Sequence, residues 1–130
     1  MPDLLLDTSA LIAVESDSTQ AERLLPDPDA PIAIAALTLA ELEVGVALAR
    51  GRRRTERRRF VDWVRDEVAI VPYDAATATH HAELLAHCRR TGAMRGAHDL
   101  IIAATARATG RAIVTLDRGG FVDLPRVRLA

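Results

Sequence analysis

Residues 4–11 read Leu4-Leu5-Leu6-Asp7-Thr8-Ser9-Ala10-Leu11. Three consecutive leucines suit a short strand buried on both faces, where no polar alternation is needed. Asp7, Thr8 and Ser9 are residues that cap helices, and a helical pattern runs from Ala10 to about Glu15. The stretch spells strand, turn, helix. The same grammar recurs along the chain. Thr19 to Leu25 predicts a second helix, ended by a loop at Pro26 and Pro28. Ile32 to Ala35 is another apolar strand, followed by a helix from Thr38 towards Arg50 with Gly51 as its stop. Thr55 opens a helix that places Phe60 and Val64 one turn apart and ends near Asp66. Ala69-Ile70-Val71 reads as a third strand. Asp74 then caps an alanine-rich helix to about Arg90, stopped by Gly92. Ala97 to Thr109 is helical and closed by Gly110. Ala112 to Leu116 is a strand, and Val127-Arg128-Leu129 a last one. Short apolar strands alternating with helices predict a parallel sheet covered on both faces, an α/β sandwich of three layers.

The chain has 130 residues, 49% of them apolar, which suits one folded domain spanning 1–130. No repeat or linker divides it, and no run approaches the ~20 apolar residues of a membrane span. Met1-Pro2-Asp3-Leu4 lacks the basic, then apolar, pattern of a secretion signal. Cys88 stands alone, so an internal disulfide is excluded and a reducing cytoplasm is the expected setting. All 17 basic residues are arginine. Without lysine, Schiff-base and P-loop chemistry are excluded, whereas arginine suits a bidentate grip on phosphate. The formal net charge of −1 argues against a general nucleic-acid coat. Any such binding falls to local patches, of which Arg50 to Arg59, with seven arginines in ten residues, is the densest. It reads either as a phosphate-gripping edge or as a solvated connection between helices; no aromatic residue is interleaved to stack bases.

Four acids share one kind of position. Asp7 follows the first strand and Asp117 lies just past the strand Ala112 to Leu116, while Glu41 and Asp99 each fall in the first turn of a helix. In a parallel α/β sheet, ligands bind beyond the carboxyl ends of the strands, and the helices begin at that same edge. All four acids can therefore meet on one rim. Each also has a plain structural reading: Asp7 as a helix cap, Thr38-x-x-Glu41 as a capping box, Asp99 as a partner of a helix dipole, Asp117 as a turn residue before Gly119-Gly120. Their joint placement favours a shared site, because acids gathered without lysine repel one another and a divalent cation is the usual remedy. Helical phase separates Glu41, on a stripe with Val44, Gly45 and Leu48 that should face inward, from Glu43, expected on a more solvated face. An all-oxygen donor set favours magnesium or manganese over zinc. His80, His81 and His87 read as ordinary helix residues. His98, beside Asp99, reads as structural or as the edge of the site.

Leu4-Leu5-Leu6-Asp7-Thr8-Ser9-Ala10-Leu11 resembles the opening motif of PIN-domain ribonucleases. Thr38-Leu39-Ala40-Glu41-Leu42-Glu43-Val44-Gly45-Val46 is similar to the second motif of the VapC toxins within them. His98-Asp99-Leu100-Ile101-Ile102-Ala103-Ala104 and Val114-Thr115-Leu116-Asp117-Arg118 resemble the third and fourth. They occur in the family's order across essentially the whole chain. The resemblance implies a sheet of about five strands with flanking helices. It implies that Asp7, Glu41, Asp99 and Asp117 form an acidic site for Mg2+ or Mn2+ that hydrolyses RNA phosphodiesters. Thr8, Ser9 or Thr115 would orient ligands from behind. A homodimer and inhibition by a VapB-like antitoxin are implied as well. One departure stands out: many relatives carry another acid three positions after the fourth-motif residue, where this chain has Gly120, and Asp123 lies further on.

Other functions fit less well. Phosphoacceptor receiver domains use a lysine, which is absent, and a haloacid-dehalogenase-type phosphatase needs an Asp-x-Asp pair where Asp7 is followed by Thr8 and Ser9. A metal-free interaction module that kept the PIN fold without catalysis is the remaining alternative.

Overall fold

Leu4, Leu5 and Leu6 are all buried, Leu4 and Leu6 in the core on one side of a sheet and Leu5 in the core on the other. The computed structural model describes residues 3–25, 27 and 29–130. Strands β1 (Leu4–Leu6), β2 (Ile32–Ala35), β3 (Ala69–Val71) and β4 (Ala112–Val114) form a parallel sheet in the order β3-β2-β1-β4. Leu4 lies in register with Ile32 on one side and Ala112 on the other. The expected fifth strand, Val127 to Leu129, is reduced to a single parallel bridge between Leu129 and Ile113. Arg126 just before it has φ of +55°, a left-handed turn that leaves little extended chain to pair.

Among the described residues six α-helices cover the sheet: α1 (Thr8–Ser16), α2 (Ser18–Leu24), α3 (Ala36–Leu48), α4 (Gly51–Glu67), α5 (Ala75–Thr91) and α6 (Ala97–Thr109). One core unites Leu4, Leu6 and Ile34 with Leu11 of α1, Leu42 and Val46 of α3, and Val61 and Val64 of α4. The opposite core unites Leu5, Ala33 and Ile113 with Leu84 and Cys88 of α5, Leu100 and Ala103 of α6, and Phe121. With both faces covered, the strands need apolar residues at every position, as their sequences show. Glu83 of α5 fastens the carboxy-terminal segment by accepting from Arg107 of α6 and, at 2.9 Å, from Arg126.

Several local expectations need correction. Helix α3 begins at Ala36, not Thr38, so Glu41 lies in its second turn. Thr38 is therefore no cap; it is buried inside the helix, its hydroxyl without a partner among the described residues. Gly51 does not close α3: Ala49 does, and Gly51, at φ +59°, opens α4. The loop at Pro26 and Pro28 lies outside the described residues. Asp74 and Gly92 bound α5 as expected, Asp74 accepting from the Thr77 amide at 3.0 Å and Gly92 taking φ +72°. Trp63 is more exposed than a core residue, at 40%, and stacks on Phe60 with centroids 6.1 Å apart.

Candidate metal centre

Because all four strands run the same way, their carboxyl ends share one edge, and Asp7 and Asp117 both leave the sheet there. Asp7 is 7% exposed and caps α1: Oδ1 accepts from the Ala10 amide at 2.9 Å and the Ser9 hydroxyl at 2.7 Å. Its other oxygen, Oδ2, accepts from the Thr115 hydroxyl. That same hydroxyl accepts from the Asp117 amide at 2.9 Å. The capping and functional readings of Asp7 are thus compatible: the hydrogen bonds of the cap also fix the carboxylate. Ser9 and Thr115 stand behind it, while the Thr8 hydroxyl is buried with no partner among the described residues.

Asp99 enters from the first turn of α6 and is half-buried. A Cβ placed on Gly120 would lie 2.7 Å from Asp99 Oδ2 and 3.6 Å from Asp117 Oδ2. The two carboxylates therefore flank one point above Gly120. Burial, first, and then the charges of Asp117, Asp7 and Glu41 push the Asp99 carboxyl above its ordinary range, with His98 acting in the opposite direction. All four predicted acids thus act on one electrostatic locus. Glu41 reaches the rim from α3, its Oε1 3.8 Å from His98 Nδ1. Among the described residues no three His, Cys, Asp or Glu side chains stand close enough together to form a finished metal cage. The donors nevertheless suit a hard divalent ion: all are carboxylate oxygens, and their repulsion, marked by the raised Asp99, is what such an ion relieves.

The reason given for preferring Glu41 over Glu43 does not hold. Val44 and Leu48, its stripe, are 55% and 78% exposed, and the buried stripe is Thr38, Leu42 and Val46. Glu41 is distinguished instead by its place at the rim. Glu43 is half-buried like Glu41 and is bonded to α4, accepting from Arg58 Nη2 at 2.6 Å and from Arg65 Nε at 3.3 Å. The hydrogen bond from Arg58, foremost, holds its carboxyl below the ordinary range. Helical periodicity cannot tell an apolar stripe facing the core from one facing outward.

Arg95 was not anticipated. Its Nη1 donates to the Gly119 carbonyl at 3.3 Å, tying the loop before Asp99 to the 3-10 turn Arg118–Gly120 that follows Asp117. Its position four residues ahead of Asp99 was the available signal. Gly120 does not adopt positive φ; the crowding by Asp99 is the constraint there. Asp123 is exposed, with φ of +65°.

The profile of the PIN domain matches residues 4–127. Ribonuclease VapC5 of Mycobacterium tuberculosis (strain ATCC 25618 / H37Rv) is 37% identical over 113 residues, covering 86% of this chain and 81% of that protein. Ribonuclease VapC of Rickettsia bellii (strain RML369-C) is 26% identical over 127 residues, covering 97% and 93%. Among solved structures, VapBC-5 from M. tuberculosis, a member of the VapBC family of toxin–antitoxin systems, superposes with a TM-score of 0.80 at 32% identity, covering 98% of each chain. VapBC2 from Rickettsia felis bound to a promoter DNA fragment gives 0.85 at 24% identity, covering 98% and 96%.

Proposed function

The chain belongs to the PIN domain family, and on that footing we propose that it is a metal-dependent endoribonuclease toxin held in check by a VapB-like antitoxin. One observation carries the metal site: besides its burial, three acids from other segments, Asp117, Asp7 and Glu41, lie close enough to Asp99 to raise its carboxyl, and a point above Gly120 is flanked by both Asp99 and Asp117. Asp7, Glu41, Asp99 and Asp117 would hold Mg2+ or Mn2+, which when bound supplies charge neutralisation and activation for phosphodiester hydrolysis. The chain's own residues set the stage. Ser9, Thr115 and the Ala10 amide fix both oxygens of Asp7, so that carboxylate needs no reorganisation when a cation arrives. Thr115 couples Asp7 to the Asp117 backbone. Arg95 holds the segments carrying Asp99 and Asp117 together.

The named relatives are ribonucleases, and the solved relative of highest quoted identity is a toxin–antitoxin complex. The same substrate class and partner are assigned here, with a homodimer as the assembly. Exposed apolar side chains on α1, α3 and α4, among them Ile12, Val44 and Leu48, support an associated rather than solitary state. Among the described residues no helix is long and apolar enough to cross a membrane.

The decisive experiment incubates purified protein with structured RNA and Mg2+ or Mn2+. Cleavage should occur and should be lost in Asp7→Asn, Asp99→Asn and Asp117→Asn proteins that still fold. Titration of manganese that finds no binding would favour the non-catalytic module instead.

A further inference from the structure

Four of the seven arginines of α4 fall into two pairs. Arg58 and Arg65 are engaged by Glu43, and Arg58 Nε also lies 3.3 Å from Asp62. Arg53 and Arg57 sit one turn apart on one face of the helix. They line a groove of about 850 Å³ between α1, α3 and α4, whose walls also hold Thr8, the acids Glu15 and Glu41, and apolar side chains such as Ile12 and Phe60. Thr8 adjoins Asp7, and Glu41 is one of the four acids, so the groove opens onto the carboxylate rim. Arg57 is seated there: its Nη1 donates to the Gly45 carbonyl at 2.9 Å. The same nitrogen lies 3.6 Å from where a Cβ on Gly45 would stand, an ordinary contact distance, so the guanidinium packs directly over the Gly45 backbone. Among the described residues neither arginine is ion-paired with a carboxylate. Glu56, on the same wall, pairs with Arg52 instead.

We propose that Arg53 and Arg57 are positioning residues that grip RNA phosphates flanking the bond cut at the carboxylate rim. This rests on the ribonuclease reading above. A rim of acids repels a polyanion, and two unpaired guanidinium groups along the adjoining groove offset that repulsion and orient the strand. Guanidinium meets phosphate with two parallel hydrogen bonds. Continuity with Glu41 and the absence of carboxylate partners favour RNA over a protein segment as the occupant.

The test compares Arg53→Gln/Arg57→Gln with Arg54→Gln/Arg59→Gln, which removes the same charge from exposed positions of the same helix that lie outside the groove. Both are placed on an Asp99→Asn background, so that fluorescein-labelled bulk transfer RNA is bound and not cut. Fluorescence anisotropy across a salt series gives Kd and its salt dependence. The Arg53/Arg57 variant should raise Kd about tenfold and flatten the log–log salt slope by about 1.4, the loss of two single-strand phosphate contacts; the control should change both far less. Arg53→Gln alone should give part of the effect without disturbing the Arg57–Gly45 hydrogen bond, with thermal melting unchanged. Equal effects in the two double variants would overturn the proposal, since only general charge would then matter. So would an unchanged Kd and slope, with or without loss of binding to a VapB-like antitoxin. Failure of the unmodified protein to cut RNA would count against the ribonuclease reading and leave this binding comparison standing.

Discussion

Asp99 Oδ2 occupies the space that a side chain at Gly120 would need, 2.7 Å from the position of its Cβ. Since Gly120 does not take positive φ, an alanine or aspartate there meets no left-handed backbone, and the crowding by Asp99 sets the limit. Gly120→Ala should therefore fold normally yet push Asp99 aside, lowering manganese affinity by about tenfold, the scale on which misplaced ligand surroundings act. Gly120→Asp should do no better, although it adds an acid, because it displaces one already present. Calorimetric titration of manganese into both variants checks this; tighter binding in Gly120→Asp would show that the added oxygen outweighs the crowding.

The raised Asp99 carboxyl makes a stability prediction. A carboxyl whose folded pKa lies above its unfolded one contributes stability below the unfolded value and loses it as pH rises through the folded value. At neutral pH the ionised Asp99 therefore weighs against the metal-free fold, through its burial and the charges of Asp117, Asp7 and Glu41. Asp99→Asn should melt a few degrees higher than the unmodified protein at neutral pH without metal. The gain should vanish below the ordinary aspartate range. Scanning calorimetry at the two pH values decides it, and a variant that melts lower at neutral pH would mean that Asp99 is not destabilised.

Thr115 donates to Asp7 and accepts from the Asp117 amide, so one hydroxyl serves two acids. Thr115→Val keeps the shape and removes both hydrogen bonds. Its cost in stability should be about 1–3 kcal/mol, as for a buried polar group left unpaired, and metal affinity should fall about 10–100-fold. Urea unfolding and manganese titration measure the two effects separately. Thr115→Ser should restore most of both.

Glu41 and Glu43 should separate by the property they damage. Glu41→Gln should abolish most cleavage with little change in melting temperature. Glu43→Gln should keep cleavage and melt slightly lower, since it weakens the contacts with Arg58 and Arg65 that join α3 to α4. The Glu43 carboxyl is lowered in the fold, so its contribution is present above the ordinary glutamate range and is lost as pH falls through the lowered value. The deficit of Glu43→Gln should shrink accordingly in acid, which melting curves at neutral and low pH will show.

The layered α/β plan was legible in the chain because local signals carry it. Apolar triplets such as Leu4-Leu5-Leu6 and Ala69-Ile70-Val71 have no polar alternation, and Asp74 and Gly92 punctuate α5 by their own chemistry. That the acids lie towards one rim was legible for the same reason: Asp7 and Asp117 follow strands and Asp99 falls in the first turn of a helix. Other features depended on residues distant in sequence. Whether Val44 and Leu48 face the core or the outside turns on where the sheet lies, which a helical period does not contain. Glu43 reads as solvated until α4 folds back and brings Arg58 and Arg65 to it. Gly120 looks like a flexible turn residue until Asp99, from α6, fills the space beside it. Position along an element is a local property that the sequence by itself determined; the partner across the gap was decided only by the tertiary structure, because burial and charge pairing act between segments that the chain keeps far apart.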